Sequence, residues 1–138
     1  MGDGRDIQSI INDGVNPNFW DYDGHTPLHV AATYGNLNAL NALIAAGADL
    51  NAQNWIERTA NCGGTPLHVA ANSDKVPLTE RYHFAERLIE AGANARLLNG
   101  EEEAPYESEF PDCPTTLDSS SYRPRFRKLL KDAYRAQR

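Results

Sequence analysis

Cysteine, long apolar runs and a basic leader are scarce or absent in this 138-residue sequence. The two cysteines, Cys62 and Cys113, lie 51 residues apart with no second cysteine near either, which excludes a zinc ribbon or a Cys-x-x-Cys redox pair. No apolar run approaches the ~18 residues of a membrane span. The first residues also lack the basic stretch and apolar block of a secretory signal. We therefore expect a soluble, cytoplasmic protein with two free thiols.

The sequence also lacks the usual signatures of nucleotide binding and hydrolysis. It has no Gly-x-x-x-x-Gly-Lys-Ser/Thr loop, no Gly-x-Gly-x-x-Gly turn after a strand and no Gly-x-Ser-x-Gly elbow. No His-Glu-x-x-His motif is present, and the acidic run from Glu101 to Asp112 lacks the alternating ligands and central glycine of a calcium loop. We therefore predict no catalytic residue, no metal site and no cofactor.

Charge is distributed unevenly along the chain, whose net charge is −6. Residues 1 to 122 hold six basic and 18 acidic residues, a net −12, whereas residues 123 to 138 hold seven basic residues and one acid, a net +6. Affinity for nucleic acid comes largely from neutralising phosphates with Lys and Arg. An acidic body with one short basic tail is therefore expected to have neither a nucleic-acid nor a membrane partner.

A nine-residue segment occurs twice, as GHTPLHVAA from residue 24 and as GGTPLHVAA from residue 63, with eight of nine letters identical. In the first copy Thr26 is suited to cap a helix whose first residue is Pro27, since proline lacks the N–H that would have no partner there. Gly35 is expected to end this short helix. A second amphipathic helix is predicted to end at Gly47, with its apolar face formed by Leu37, Leu40, Leu43 and Ile44.

The same order of elements recurs along the chain. The second copy runs from Thr65 to Gly92 and is six residues longer than the first. The segment DKVPLT, expected between its two helices, accounts for these six residues. A half unit precedes the first copy. A third unit has Ala104-Pro105-Tyr106-Glu107 in place of TPLH, and a terminal helix is predicted to begin at Pro124 and to continue past Ala133.

The pattern D-x-x-G-x-TPLH-x-AA-x-x-G, followed by GADLN, resembles the ankyrin repeat, and residues 21 to 53 fit one consensus unit without a gap. The resemblance covers about Ile7 to Ala133. It implies an all-α solenoid of helix-turn-helix units joined by β-hairpin loops, in which His29 and His68 are scaffold residues that hydrogen-bond the Thr hydroxyl and the backbone between units. The chain departs from the consensus in its two insertions, in Arg96 where an Asn would stand, and in the third unit.

We accordingly expect a single domain over residues 1 to 138. It would comprise an N-terminal half unit at 5 to 20, a first repeat at 21 to 53, a second repeat with an insertion at 60 to 98, and a degenerate third repeat with a C-terminal cap helix at 99 to 138.

The resemblance also indicates where a partner would bind, because ankyrin proteins use their hairpin tips and the exposed side of each first helix. Aromatic and Arg side chains dominate binding hot spots, and the scaffold does not require aromatics at these positions. The alternative is that Trp20 and Trp55 fold back over the hairpin or cover an insertion. The candidate partner-binding residues are Trp20, Tyr22, Asp23, His25, Thr33, Tyr34, Gln53, Asn54, Trp55, Arg58, Asn72 and Arg96.

The basic terminal helix has three interpretations. It caps the stack, with Phe126, Leu129, Leu130 and Tyr134 buried and its charges in water, as a terminal repeat must; it pairs with the acidic segment 101 to 112; or it contacts nucleic acid or an anionic membrane.

The function that these features favour is a non-catalytic protein-protein interaction module, monomeric when free, whose partner is another protein of basic character. The alternative is an acidic inhibitor or immunity-type protein that blocks a basic toxin or enzyme. A third hypothesis, an enzyme or nucleic-acid binder built on the inserted loops and basic tail, has the least support.

Overall fold

The computed structural model describes residues 17–18, 24–53, 64–73, 75–99, 101–108, 110 and 122–137. Within these ranges the chain forms five α-helices and one 3₁₀ turn, without a strand. In chain order they are α1 (Pro27–Thr33), α2 (Leu37–Ala45), α3 (Pro66–Asn72), α4 (Leu78–Glu90), the 3₁₀ turn (Pro105–Glu107) and α5 (Tyr122–Ala136). The predicted all-helical fold is confirmed. Residues 54–63, which belong to the predicted hairpin loop between the first and second repeats, lie outside the described ranges.

The duplicated segment forms the same helix start in both copies. Thr26 has an extended backbone, its Oγ1 accepts a hydrogen bond from the His29 backbone N–H at 3.4 Å, and Pro27 is the first helical residue. Thr65 precedes α3 with nearly the same backbone angles, again followed by proline. An N-terminal cap of this kind contributes about 1 kcal/mol, so the short helices α1 and α3 gain much of their local stability from their first residues.

Glycines with positive φ end the helices where the sequence predicts. Gly47 follows α2 with φ of +83°, and Gly92 follows α4 with φ of +106°. At Gly35, between α1 and α2, φ is +58° and a Cβ would lie 3.3 Å from both the Val76 Cγ2 and the Glu80 Cβ atoms. Gly35 is therefore required both by the backbone conformation and by the close approach of the second unit.

The helices pack in two layers. The first helices α1 and α3 and the 3₁₀ turn contact one another in succession, while α2, α4 and α5 do the same behind them. Alanine pairs in α1 and α3 are fully buried and allow this close approach. The core consists of Leu28, Ala31, Ala32, Ala39, Leu40, Leu43, Leu67, Ala70, Ala71, Leu78, Phe84, Ala85, Leu88, Phe110, Phe126 and Leu130, among others.

Three details differ from the sequence-based expectation. Leu37 is 37% exposed, and Ala39 takes its place in the buried face, because Asn36 caps α2 by accepting from the Ala39 N–H at 3.1 Å and so fixes the helix phase. The six additional residues of the second unit do not all lie between helices, since α4 has 13 residues and α2 has nine. Helix α5 begins at Tyr122, two residues before Pro124.

Helix α5 occupies the second-helix position of the third unit. Phe126 and Leu130 are fully buried, Ala133 is nearly so, and Leu129 packs partly against the core. The Phe126 ring lies 4.9 Å from the Phe110 ring and 5.9 Å from the Tyr82 ring, which ties α5 to both the third-unit segment and α4. Of the apolar face predicted for this helix, Phe126 and Leu130 are buried, whereas Leu129 and Tyr134 are half-buried, and the helix covers the described end of the stack.

Candidate functional site

The two histidines of the duplicated segment each join one unit to the next. The Nε2 atom of His29 lies 2.9 Å from the Gly64 carbonyl oxygen, and the Nε2 atom of His68 lies 2.7 Å from the Glu103 carbonyl oxygen. Both bonds span 35 residues. Each carbonyl belongs to the residue that precedes the first-helix cap of the following unit, so the repeat is continued by the same bond twice.

The other ring nitrogen fixes the tautomer of each histidine. The Thr26 N–H donates to the His29 Nδ1 atom at 3.2 Å, and the Thr65 N–H donates to the His68 Nδ1 atom at 3.1 Å. An Nδ1 atom that accepts a backbone proton carries none itself, so Nε2 holds the proton and donates it to the carbonyl. Both rings are therefore neutral and both nitrogens are occupied, which confirms the scaffold role expected from the resemblance.

Burial lowers the pKa of His68 below its usual 6.5. The hydrogen bond to the Glu103 carbonyl and the nearby Glu103 and Glu107 charges oppose this effect without reversing it. At neutral pH the ring is therefore a neutral donor and acceptor in the core, with no access to a substrate.

His25 and His29 have the i, i+4 spacing on which helical metal sites are built. Their ring centroids lie 5.8 Å apart at an angle of 46°. Because both nitrogens of His29 are already hydrogen-bonded, the pair cannot supply two metal ligands. Over the described ranges, no cluster of three or more His, Cys, Asp or Glu side chains is placed to hold a metal ion.

A row of first-helix ends forms one part of the candidate binding surface. Thr33 and Tyr34 lie at the end of α1, and the Tyr34 ring is 40% exposed. The Ser73 hydroxyl, at the end of α3, donates to the Thr33 carbonyl at 2.6 Å. The Asn72 amide donates to the Ser108 hydroxyl at 3.1 Å. These bonds align the helix ends of three successive units, although Ser73 and Ser108 themselves are buried.

A second row follows the hairpin side of the units. The Gln53 side-chain amide donates to the Leu98 carbonyl at 2.7 Å, which brings the corresponding segments of the first two units together. Leu98 is 46% exposed. Behind this edge, the Asn51 Oδ1 atom accepts from the Asn94 N–H at 2.7 Å, as the Asn18 Oδ1 atom does from the Asp49 N–H at 2.6 Å.

Arg96 belongs to the surface but is engaged within the chain. Its Nη1 atom donates to the Tyr134 carbonyl at the end of α5 at 2.8 Å, and its guanidinium lies 4.2 Å from the Tyr134 ring centroid. Gln137 accepts from the Ala95 N–H at 2.7 Å and donates to the Ala93 carbonyl at 3.0 Å. The hydrogen bonds of Arg96 and Gln137 thus attach the end of α5 to the second unit.

The remaining predicted site residues lie outside the described ranges. These are Trp20, Tyr22, Asp23, Asn54, Trp55 and Arg58. Of the described ones, His25 and Thr33 are half-buried, and Thr33 donates its hydroxyl back to the His29 carbonyl at 3.0 Å.

Sequence reasoning missed two exposed apolar side chains and one buried cation. Leu37 is predicted to lie on the apolar face of its helix, and Leu98 is not among the predicted surface residues. Both side chains are nevertheless exposed. Arg81 is fully buried in α4, and its Nη1 atom lies 3.4 and 3.3 Å from the Ala70 and Ala71 carbonyls at the end of α3. A cation at a helix C-terminus is stabilised by the helix dipole, but only the packing of α4 on α3 reveals the pairing.

None of the described helices combines the length and apolar character that crossing a membrane requires.

Comparisons with known proteins agree with this geometry. The family model described as Ankyrin repeat matches residues 23–55 and 62–100, which is more than half of the chain. The chain is 39% identical over 54 residues to Protein fem-1 homolog A of Bos taurus, covering 39% of this chain and 8% of that protein. It is 38% identical over 92 residues to Potassium channel GORK of Arabidopsis thaliana, covering 64% and 10%. It is 35% identical over 95 residues to the Neurogenic locus Notch protein of Drosophila melanogaster, covering 68% and 3%. The chain thus spans no more than 10% of the length of any of these three relatives.

Proposed function

Because the chain belongs to the ankyrin-repeat family, we propose that it is a non-catalytic module that binds one protein partner along its hairpin tips and first-helix ends. Ankyrin repeats are generally protein-interaction modules, and repeat solenoids bind through such extended surfaces. The observation that carries the proposal is the Tyr34 ring, which is 40% exposed at the end of α1. A large aromatic side chain in a row of otherwise small polar helix ends is typical of a binding hot spot.

The proposed surface joins both described rows to the aromatic tip residues. We take residues 21–53 and 60–98 as two repeats and 99–138 as a third repeat with its cap helix. Equivalent positions of successive repeats then lie side by side along the proposed surface. Leu98 adds apolar area beside Gln53, and the half-buried residues Thr33 and Asn72 lie at the ends of α1 and α3. The surface residues are Trp20, Tyr22, Asp23, His25, Thr33, Tyr34, Gln53, Asn54, Trp55, Arg58 and Asn72; Arg96 is placed at its margin because of its bond to Tyr134.

The experiment that tests this proposal is affinity capture with the immobilised chain, followed by mass spectrometry and a binding titration with the purified partner. The Tyr34→Ala variant is expected to weaken binding by about tenfold, as loss of a central aromatic anchor does. The Trp20→Ala, Tyr22→Ala, Trp55→Ala triple variant should abolish it. Glu90→Gln, an exposed change in the second-helix layer, is the control. Undiminished binding by both aromatic variants, with circular dichroism unchanged, would refute the surface.

The charge of the body favours a second candidate, an acidic inhibitor or immunity-type protein that blocks a basic toxin or enzyme. Residues 1 to 122 have a net charge of −12, and Glu101 and Glu102 are exposed beside the third unit. A field of one sign speeds association with a partner of opposite charge. Such a complex should weaken markedly between low and high ionic strength, so an affinity independent of salt would exclude this candidate.

A further inference from the structure

Helix α5 presents two differently used basic faces. On one face the Arg123 Nε atom donates to the Phe110 carbonyl at 3.0 Å and the Arg127 Nη2 atom donates to the Ser108 carbonyl at 3.1 Å. The Lys131 ammonium lies 5.9 Å from the Tyr106 ring centroid. These contacts go to carbonyls and rings, so they fix the helix on the third unit without neutralising its charge.

The opposite face borders a groove against α4. Tyr82, Arg125, Lys128, Leu129 and Asp132 line this space of about 240 Å³, which we call the Tyr82–Arg125 groove. Leu129 and Tyr82 are half-buried and form an apolar floor, while the charged side chains stand at the rim. The groove is separate from both rows of the proposed surface, because it lies in the second-helix layer.

Arg125 is held in position by two aromatic rings. Its guanidinium lies 4.7 Å from the Tyr122 ring centroid and 5.5 Å from the Tyr82 ring centroid. The two rings lie 5.7 Å apart and nearly perpendicular to each other, at 70°. These cation–π contacts hold the guanidinium without using its N–H groups as hydrogen-bond donors, so its planar fork can pair with a carboxylate. No carboxylate of the described part of the chain pairs with Arg125.

Lys128 already holds a carboxylate at the rim of the groove. Its Nζ atom lies 2.8 Å from the Asp132 Oδ2 atom, with side chains 77% and 56% exposed. An exposed i, i+4 pair of this kind adds little stability, so a second carboxylate can displace Asp132 at small cost. The pKa of Asp132 is lowered chiefly by this hydrogen bond, which indicates that the position favours an ionised carboxylate.

We propose that the Tyr82–Arg125 groove binds an acidic segment of a partner protein. One carboxylate of that segment pairs with the N–H edge of Arg125, a second replaces Asp132 on Lys128, and an apolar side chain between them contacts Leu129 and Tyr82. Charge complementarity specifies the occupant: the charged side chains that line the groove are Arg125, Lys128 and Asp132, and displacement of Asp132 leaves two cations for two carboxylates. Nucleic acid and anionic lipid are disfavoured because residues 1 to 122, with their net −12, repel an extended phosphate surface, whereas a short acidic segment contacts the groove alone.

The test uses the full chain and a fluorescein-labelled decapeptide that alternates pairs of glutamate with leucine, titrated by fluorescence anisotropy. The same peptide with every glutamate replaced by glutamine is the negative control. Arg125→Gln should weaken binding by about tenfold, and Arg125→Lys nearly as much, since lysine lacks the planar fork that pairs with both oxygens of a carboxylate. Asp132→Asn, which removes the internal competitor, should strengthen binding by about two- to threefold.

Arg135→Gln is the matched control, because it removes one charge from an exposed position on the same helix outside the groove. It should change the affinity by less than about twofold. The proposal is overturned if Arg135→Gln weakens binding as much as Arg125→Gln, if Asp132→Asn fails to strengthen it, or if the glutamine peptide binds equally well. It is also overturned if the wild-type chain ignores the acidic peptide but binds a single-stranded oligonucleotide or phosphatidylserine vesicles through Arg125.

Discussion

Replacing His68 with alanine is expected to lower the free energy of unfolding by about 2–4 kcal/mol. The side chain is fully buried, and its removal leaves the Thr65 N–H without its acceptor and takes one of two donors from the Glu103 carbonyl, which still accepts from the Asn99 N–H at 2.9 Å. The stranded N–H costs ~1–2 kcal/mol, the lost hydrogen bond to Glu103 ~0.5–1 kcal/mol, and the lost packing ~1 kcal/mol. The variant therefore weakens the junction between the second and third units rather than one helix alone.

Urea unfolding followed by far-UV circular dichroism measures this loss. His83→Ala is the matched control, since His83 is an exposed histidine on α4 whose contacts are a 3.8 Å approach to Glu86 and edge contacts to the Tyr82 and Tyr122 rings. It should change the free energy of unfolding by less than about 0.5 kcal/mol. A loss below about 1 kcal/mol for His68→Ala would refute the reasoning, because the stranded Thr65 N–H and the lost packing together should cost more.

A double-mutant cycle with Thr65→Val separates the ring from the cap. The Thr65 Oγ1 atom lies 2.9 Å from the His68 Nδ1 atom, so the two side chains share one interaction. The combined variant should therefore lose less than the sum of the single losses. Strict additivity would mean that the hydroxyl and the ring act independently.

Two further predictions concern stability. The free energy of unfolding should fall as pH decreases below about 6.5, since burial lowers the pKa of His68 and the unfolded chain then binds the proton first. The His68 contribution is at most about 1.4 kcal/mol per pH unit. If the dependence of the unfolding free energy on pH were the same in His68→Gln, the prediction would be contradicted. Gly35→Ala should destabilise by about 2 kcal/mol and Gly47→Ala by about 1 kcal/mol, because both have positive φ but only a Cβ at Gly35 meets Val76 and Glu80; equal losses in urea unfolding would show that the close approach is immaterial.

The repeat architecture could be predicted from the sequence because its signals are local. A capping Thr, a first-turn Pro and a terminal Gly determine where a helix begins and ends with little help from distant residues. The phase of α2 depends on which side of the helix meets α4, and no local signal distinguishes Leu37 from Ala39 in that respect. The burial of Arg81 could not be predicted for the same reason, since its Nη1 atom donates to carbonyls ten and 11 residues earlier that only the packing brings close.

The candidate surface could be predicted only in outline. The alignment of units correctly indicated that Tyr34 and Gln53 are exposed. It could not indicate that Arg96 donates to Tyr134, because that bond depends on where α5 ends. The Tyr82–Arg125 groove likewise could not be predicted, because it forms only where α4 and α5 meet. Tyr82 and the α5 residues that line it are separated by more than 40 positions in the chain.

Two devices link each earlier unit to the next, and both are replaced further along the chain, one at Glu107 in the third repeat and one at Arg96 at the end of the second. Glu107 stands where the histidine would be, and its carboxylate accepts from the Ala104 N–H at 3.3 Å as the histidine Nδ1 atoms do, but it has no N–H to donate onward. Arg96 stands where Asn51 accepts from the following unit, and as a pure donor it bonds instead to the Tyr134 carbonyl. Glu107 accepts a hydrogen bond but cannot donate one, and Arg96 donates but cannot accept, so neither can repeat the bonds that join the earlier units. Neither position provides the bond that would link a further unit, which is consistent with the capping role expected for α5.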